Sequence, residues 1–151
     1  MNLLLIIHLM LQLFAAFLCS SMFSIILHTP LKQCKFAGIS GTAGWFVYSI
    51  CINHGLSNTV APFFATMALT WLCRIFSFVR KEPITSFLLT SIFPIVPGAG
   101  IYYTGYYFFM GQDNICAAKA LETIKIAIAI ALGIGIVLSL PKFLFTLKRV
   151  K

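Results

Sequence analysis

Polar positions are sparse along this chain and fall in short clusters, so the apolar runs between them define its elements. A helix rises 1.5 Å per residue, and about 20 apolar residues cross roughly 30 Å of hydrocarbon. Five stretches meet that length: 3–27, 36–52, 60–79, 84–110 and 122–140. The second is short but carries Trp45 and Tyr48, and the last is followed by Pro141. Residues 126–131 alternate Ile and Ala like a strand, yet an open strand in lipid leaves its backbone groups unpaired, so a helix is expected there as well. The pattern predicts an all-α polytopic membrane protein with five transmembrane helices over 1–140, the fourth broken at Pro94–Gly100, and a basic cytoplasmic tail over 141–151.

Composition agrees. Of 151 residues 60% are hydrophobic and 9% charged, against roughly 25% charged in a soluble domain. That excludes an ordinary soluble enzyme, a disordered region and a nucleic-acid-binding domain, despite a formal net charge of +8. The cations are distributed as the positive-inside rule requires. Lys32 and Lys35 follow the first stretch, and Arg74, Arg80 and Lys81 close the third. The connection between stretches 2 and 3 holds no Lys or Arg, and Asp113, Lys119, Glu122 and Lys125 cancel between 111 and 125. The N-terminus is therefore expected outside and the C-terminus inside. The tail carries Lys142, Lys148, Arg149 and Lys151. It either lies on the inner leaflet, gaining about 1 kcal/mol per cation, or only fixes topology. The N-terminal run has no Lys or Arg before Lys32 and exceeds the roughly 7–15 residues of a signal-peptide core, so it reads as a retained helix. The cysteines, Cys19, Cys34, Cys51, Cys73 and Cys116, show no metal or redox spacing, and no cofactor is expected.

Lipid gives helices no hydrophobic reason to associate, so small residues and hydrogen bonds set packing. Gly38, Gly41 and Gly44 give the second helix a small face, and Ala127, Ala131 and Gly135 give one to the fifth. His8 and Gln12 lie one turn apart, as a relay or as polar glue between helices. Five helices leave limited room to satisfy all these faces, so a further subunit is expected. Tyr106 and Tyr107 suit an interfacial belt, whereas Tyr102 and Tyr103 lie beside the break and suit a pathway as well.

The break carries the candidate site. Pro94 and Pro97 each lack an amide donor, which frees the carbonyls of Thr90 and Phe93 four residues back. Gly98 and Gly100 flank Ala99 where the helix resumes, and its first amides sit at the positive end of a helix dipole. Pro94 lies ten residues beyond Ile84 and thus near mid-bilayer. Irregular backbone at that depth must be buried in protein or line a watery cavity, and interrupted helices form solute sites in secondary transporters. The expected assignment places a solute carboxylate on the amides around Gly98–Gly100, and an ammonium or coupling ion on the Thr90 and Phe93 carbonyls. The alternative is a kinked packing helix. Glu122 and Lys125, three residues apart on one helix face, are either a proton-coupling pair or an interfacial salt bridge.

The run Phe93-Pro-Ile-Val-Pro-Gly-Ala-Gly-Ile-Tyr-Tyr-Thr104, with Ala120-Leu-Glu-Thr123 and Ala129-Ile-Ala-Leu-Gly-Ile134, resembles the threonine/serine exporter family, specifically its five-span C-terminal half. Residues 35–48 resemble that half too. The resemblance implies a proton-driven exporter of small amino acids, or in some members of dicarboxylates, in a bacterial inner membrane. It also implies a larger membrane partner related to the family's N-terminal half, and it carries over to Pro94, Pro97, Gly98, Gly100 and Glu122. A non-transporting assembly subunit is the competing class. An intramembrane enzyme is disfavoured by three acidic residues in the whole chain, and nucleotide-driven pumping by the lack of a phosphate-cradling loop.

Overall fold

The computed structural model describes residues 3–141, so most of the expected tail, 142–151, lies outside the described residues. Six helices run in the order α1 (Leu3–Ile26), α2 (Leu31–Asn53), α3 (Ala61–Arg80), α4 (Ile84–Ser91), α5 (Gly98–Phe109) and α6 (Asp113–Ser139). No strand occurs among the described residues, and the Ile-Ala alternation is helical. Three helices are long and apolar enough to cross a membrane: α1 from Ile6 onward, α3 and α6. The second has 23 residues, but Lys32, Lys35 and three glycines dilute its apolar character. With 8 and 12 residues, α4 and α5 are each shorter than a span. Together they fill the stretch expected as one interrupted helix.

Two boundaries differ from expectation. Helix α2 starts at Leu31 rather than at 36, because Pro30 presets its first turn and Gln33 N donates to the Pro30 carbonyl at 2.7 Å. Helix α6 starts at Asp113 rather than at 122. Its acidic first turn complements the dipole, so residues assigned by charge to an outer loop are helical.

Four of the five connections share one chemistry. His28, Gly55, Lys81 and Gly111 have positive φ, and the amide that follows each reaches back five residues: Thr29 to Ser24, Leu56 to Cys51, Glu82 to Ser77 and Gln112 to Tyr107. These left-handed closures satisfy the last carbonyls of a helix and reverse the chain. Between α4 and α5 there is no such closure, so that interruption is not an ordinary turn.

At the centre stands α2, and its small residues explain why. A Cβ on Gly38 would lie 2.6 Å from the Phe17 ring of α1, and one on Gly41 would lie 3.1 Å from the Ser91 carbonyl of α4. On Gly44 it would meet Leu69 of α3 and Ile95 of the break, both at 3.0 Å. Three successive small positions thus admit three neighbours, as close packing in lipid requires. Ala65, Leu69, Cys73, Phe87, Ile95 and Ile130 form the buried apolar core. In α6, Ala127, Ala131 and Gly135 face outward. Gly133 makes the packing contact instead, where a Cβ would sit 2.7 Å from the Phe63 carbonyl of α3.

Arg74, expected at a membrane boundary, is buried at 8% exposure. Its guanidinium donates to the carbonyls of Val137, Leu138 and Leu140 at the end of α6. A cation on the negative end of a helix dipole satisfies terminal carbonyls, and that of Val137 also receives Leu140 N at 3.3 Å. Replacement by leucine removes the guanidinium from these oxygens, and we expect a loss of about 2–3 kcal/mol. The check is the thermal midpoint of the purified chain in detergent, with little change in membrane insertion.

Candidate functional site

The interruption is specific in its hydrogen bonding. Ile92 N closes α4 on the Leu88 carbonyl at 3.2 Å, then Ile95 N and Val96 N both turn to Ile92 O. The carbonyls of Thr90 and Phe93 receive no backbone amide, because residues 94 and 97 are prolines. Pro97 has φ −76 and ψ 58, and Gly98 N donates to Val96 O at 2.8 Å, an inverse γ-turn. The first helical bond of α5 is Ile101 N to Pro97 O. The amides of Ala99 and Gly100 therefore begin the helix without a backbone acceptor, at the positive end of its dipole.

These groups line one cavity of about 400 Å³. Helix α2 contributes Trp45 and Tyr48, the α2–α3 connection Asn58, and α3 its buried Pro62. The break and the start of α5 supply Pro94–Gly100 and Tyr103, and α6 supplies Lys119, Glu122, Thr123 and Ile126. The Glu122 carboxylate accepts from Lys119 Nζ at 3.0 Å, with both side chains 43% exposed. It is the only ion pair among the described residues, and the rest of the cavity wall carries no charged side chain.

The structure brings together Pro94, Pro97, Gly98, Ala99, Gly100, Tyr103 and Glu122 from the expected set. It does not bring the other four. Thr90 is buried beneath the break, and its hydroxyl bonds back to the Ser86 and Phe87 carbonyls. The ring of Phe93 stacks on Phe23 of α1, with centroids 3.6 Å apart and planes 11° apart. Tyr102 is exposed on the far side of α5, stacked with Tyr106. Lys125 is exposed and outside the cavity, so the Glu122–Lys125 pairing gives way to Lys119–Glu122. The reason is the earlier start of α6, which makes Lys119 a helical residue one turn before Glu122.

Sequence reasoning missed Trp45, Tyr48, Asn58, Lys119 and Thr123. The spacing of Lys119 and Glu122 is the same i, i+3 interval that suggested Lys125, and helical continuity through 113–125 was the lacking signal. Trp45 and Tyr48, with ring centroids 5.1 Å apart, form a wall shared with a second cavity between α1 and α2. There Trp45 Nε1 donates to Gln12 Oε1 at 3.4 Å, and His8 lines the same space.

The two glycines differ in role. A Cβ on Gly98 meets nothing within 4 Å, whereas one on Gly100 collides with Thr123 Oγ1, which is itself bonded to the Lys119 carbonyl at 2.8 Å. Gly100 is thus a packing position between α5 and α6. Gly100→Ala is expected to cost about 1–3 kcal/mol by overpacking, read as a lowered thermal midpoint. Adding Thr123→Ala removes the obstructing oxygen and restores most of it.

An all-helical membrane chain whose interrupted helix opens onto a part-polar cavity has the construction of a transporter. The comparisons give the family. The profile described as threonine/serine exporter, ThrE, matches residues 12–140, and the chain belongs to the threonine/serine exporter family. No curated protein and no solved structure matches. The family is one of transporters, and the chain is a transport protein of the membrane.

Proposed function

We propose that the chain is a five-span subunit of a secondary exporter of threonine and serine, working with a larger membrane partner in a bacterial inner membrane. Helices α1, α2, α3 and α6 are four spans, and α4 with α5 is the fifth, N-terminus outside and C-terminus inside. The Lys and Arg distribution supports that orientation. One observation carries the reading: the free amides of the break and the carboxylate Glu122 line the same cavity.

An amino acid presents a carboxylate and an ammonium on one carbon. The Ala99 and Gly100 amides and the α5 dipole suit the carboxylate. Glu122 suits the ammonium, which replaces Lys119 as its partner. Asn58 and Tyr48 supply polar atoms for a side-chain hydroxyl. Glu122 also supplies the coupling site, since protonation removes its hold on either cation. The partner is supported by the outward small-residue face of α6, and by α5, which packs on α6 alone among the helices.

A dicarboxylate is the second reading, favoured by Lys119 as a cationic group within the cavity. Arg74 is committed to the end of α6 and does not serve there. The test co-expresses the chain with its partner in cells loaded with a threonine-containing dipeptide. Threonine efflux that stops when this subunit alone is removed supports the exporter, and succinate efflux that stops instead supports the second reading. Efflux of both solutes that persists without this chain leaves it an assembly subunit and refutes the proposal.

A further inference from the structure

The cavity at the break has a counterpart at the other end of α4, and only one helical turn separates them. That second cavity, about 240 Å³, is lined by His28 and Thr29 of the α1–α2 connection and by Thr85, Ser86 and Thr90 of α4. Thr90 closes it, and Pro94, four residues on, lines the first. Between them the end of α4 and the first residues of the break are pressed on α1 and α2. Ser91 Oγ donates toward the Ala37 carbonyl at 2.9 Å, the Ser91 carbonyl approaches Gly41, and Phe93 stacks on Phe23.

We infer that this turn, Thr90–Pro94, is the movable barrier of the transport path, and that the Phe23–Phe93 stack holds it shut. Three independent features support it. The hydroxyl of Ser20 lies beside Gly41, where the Ser91 carbonyl also approaches, and is buried without a hydrogen-bond partner. Buried polar groups are ordinarily satisfied, and water entering an opened seam satisfies this one. The Thr90 carbonyl is likewise unpaired by the backbone, so parting the turn breaks no helical bond there. Lastly, α4 is a rod of 8 residues between two irregular segments, 81–83 and 92–97, which lets it tilt without dragging a long helix. The solute that crosses is the one assigned above, so this inference rests on that reading for its cargo, though not for the motion.

Cys73 is a native reporter. It is fully buried on α3, with its sulfur 3.7 Å from Ser91 Oγ on the barrier itself. The experiment measures N-ethylmaleimide modification of Cys73 in the full chain in membranes, with the other four cysteines replaced. Modification should be slow, and Phe93→Ala should raise its rate at least about tenfold by populating the open seam. Phe23→Ala removes the other ring and should do the same. Gly133→Ala, which loosens α3 from α6 away from the seam, should leave the rate low and so separates opening from general unfolding. An unchanged rate in both phenylalanine variants, or an equal rise in Gly133→Ala, overturns the barrier. A rise confined to the phenylalanine variants with no threonine efflux supports the barrier while the cargo reading fails. Efflux with no rise refutes the barrier and leaves the exporter standing.

Discussion

Gly98→Phe should abolish export while the protein still inserts, folds and accumulates. The expectation follows from where the missing side chain would go. Gly98 begins α5 with ordinary helical backbone, so phenylalanine needs no unusual conformation there, and its Cβ would have no atom within 4 Å. The ring enters the cavity, beside the free amides of Ala99 and Gly100. A ring occupying the volume beside those amides excludes the solute from its binding groups. Export should fall to the level of cells without the chain, with an unchanged thermal midpoint. Gly98→Ala, a single methyl in open space, should retain most activity. Equal export by the phenylalanine variant and the parent would remove the cavity from the transport path.

The contrast with Gly100 shows what was and was not legible in the sequence. Two prolines and two glycines within seven residues identified the interruption, because proline chemistry is local and needs no tertiary information. That one glycine faces space and the other faces Thr123 depends on the rotation of α6 against α5, which no local pattern encodes. The same limit explains Thr90 and Phe93. Their carbonyls are freed as expected, but their side chains pack on their own helix and on Phe23, so neither lines the cavity. Small-residue faces were half legible. Gly38, Gly41 and Gly44 all meet neighbours, yet in α6 the contact belongs to Gly133 and the more regular Ala127–Ala131–Gly135 face points outward.

Charge counting located connections well and helix ends poorly. Lys119, Glu122 and Lys125 have the look of a loop because charges are rare in lipid, whereas α6 carries them in its first turns. Glu122 is nine positions from Asp113, so by rise per residue it lies roughly 13 Å along the helix. Ionisable groups within membrane spans are costly unless paired, and they often mark ion and proton paths.

Glu122→Gln should therefore uncouple export from the proton gradient rather than simply weaken it. Glutamine keeps the shape and a hydrogen-bonding oxygen for Lys119 but cannot take up or release a proton. Uphill threonine efflux should drop at least about tenfold, equivalent to about 1.4 kcal/mol in the barrier of the coupled step. Exchange of labelled for unlabelled threonine across the membrane, which needs no net proton movement, should survive. A Lys119→Met variant takes away the carboxylate's cation and leaves the carboxylate, so its coupling should persist. If glutamine at 122 abolished exchange and net efflux alike, the carboxylate would be a binding group alone. If neither changed, the pair with Lys119 would be an interfacial salt bridge of little weight at its half-exposed position, and coupling would reside in the partner subunit. The split between exchange and uphill efflux thus assigns Glu122 a task that geometry alone leaves shared between binding and proton transfer.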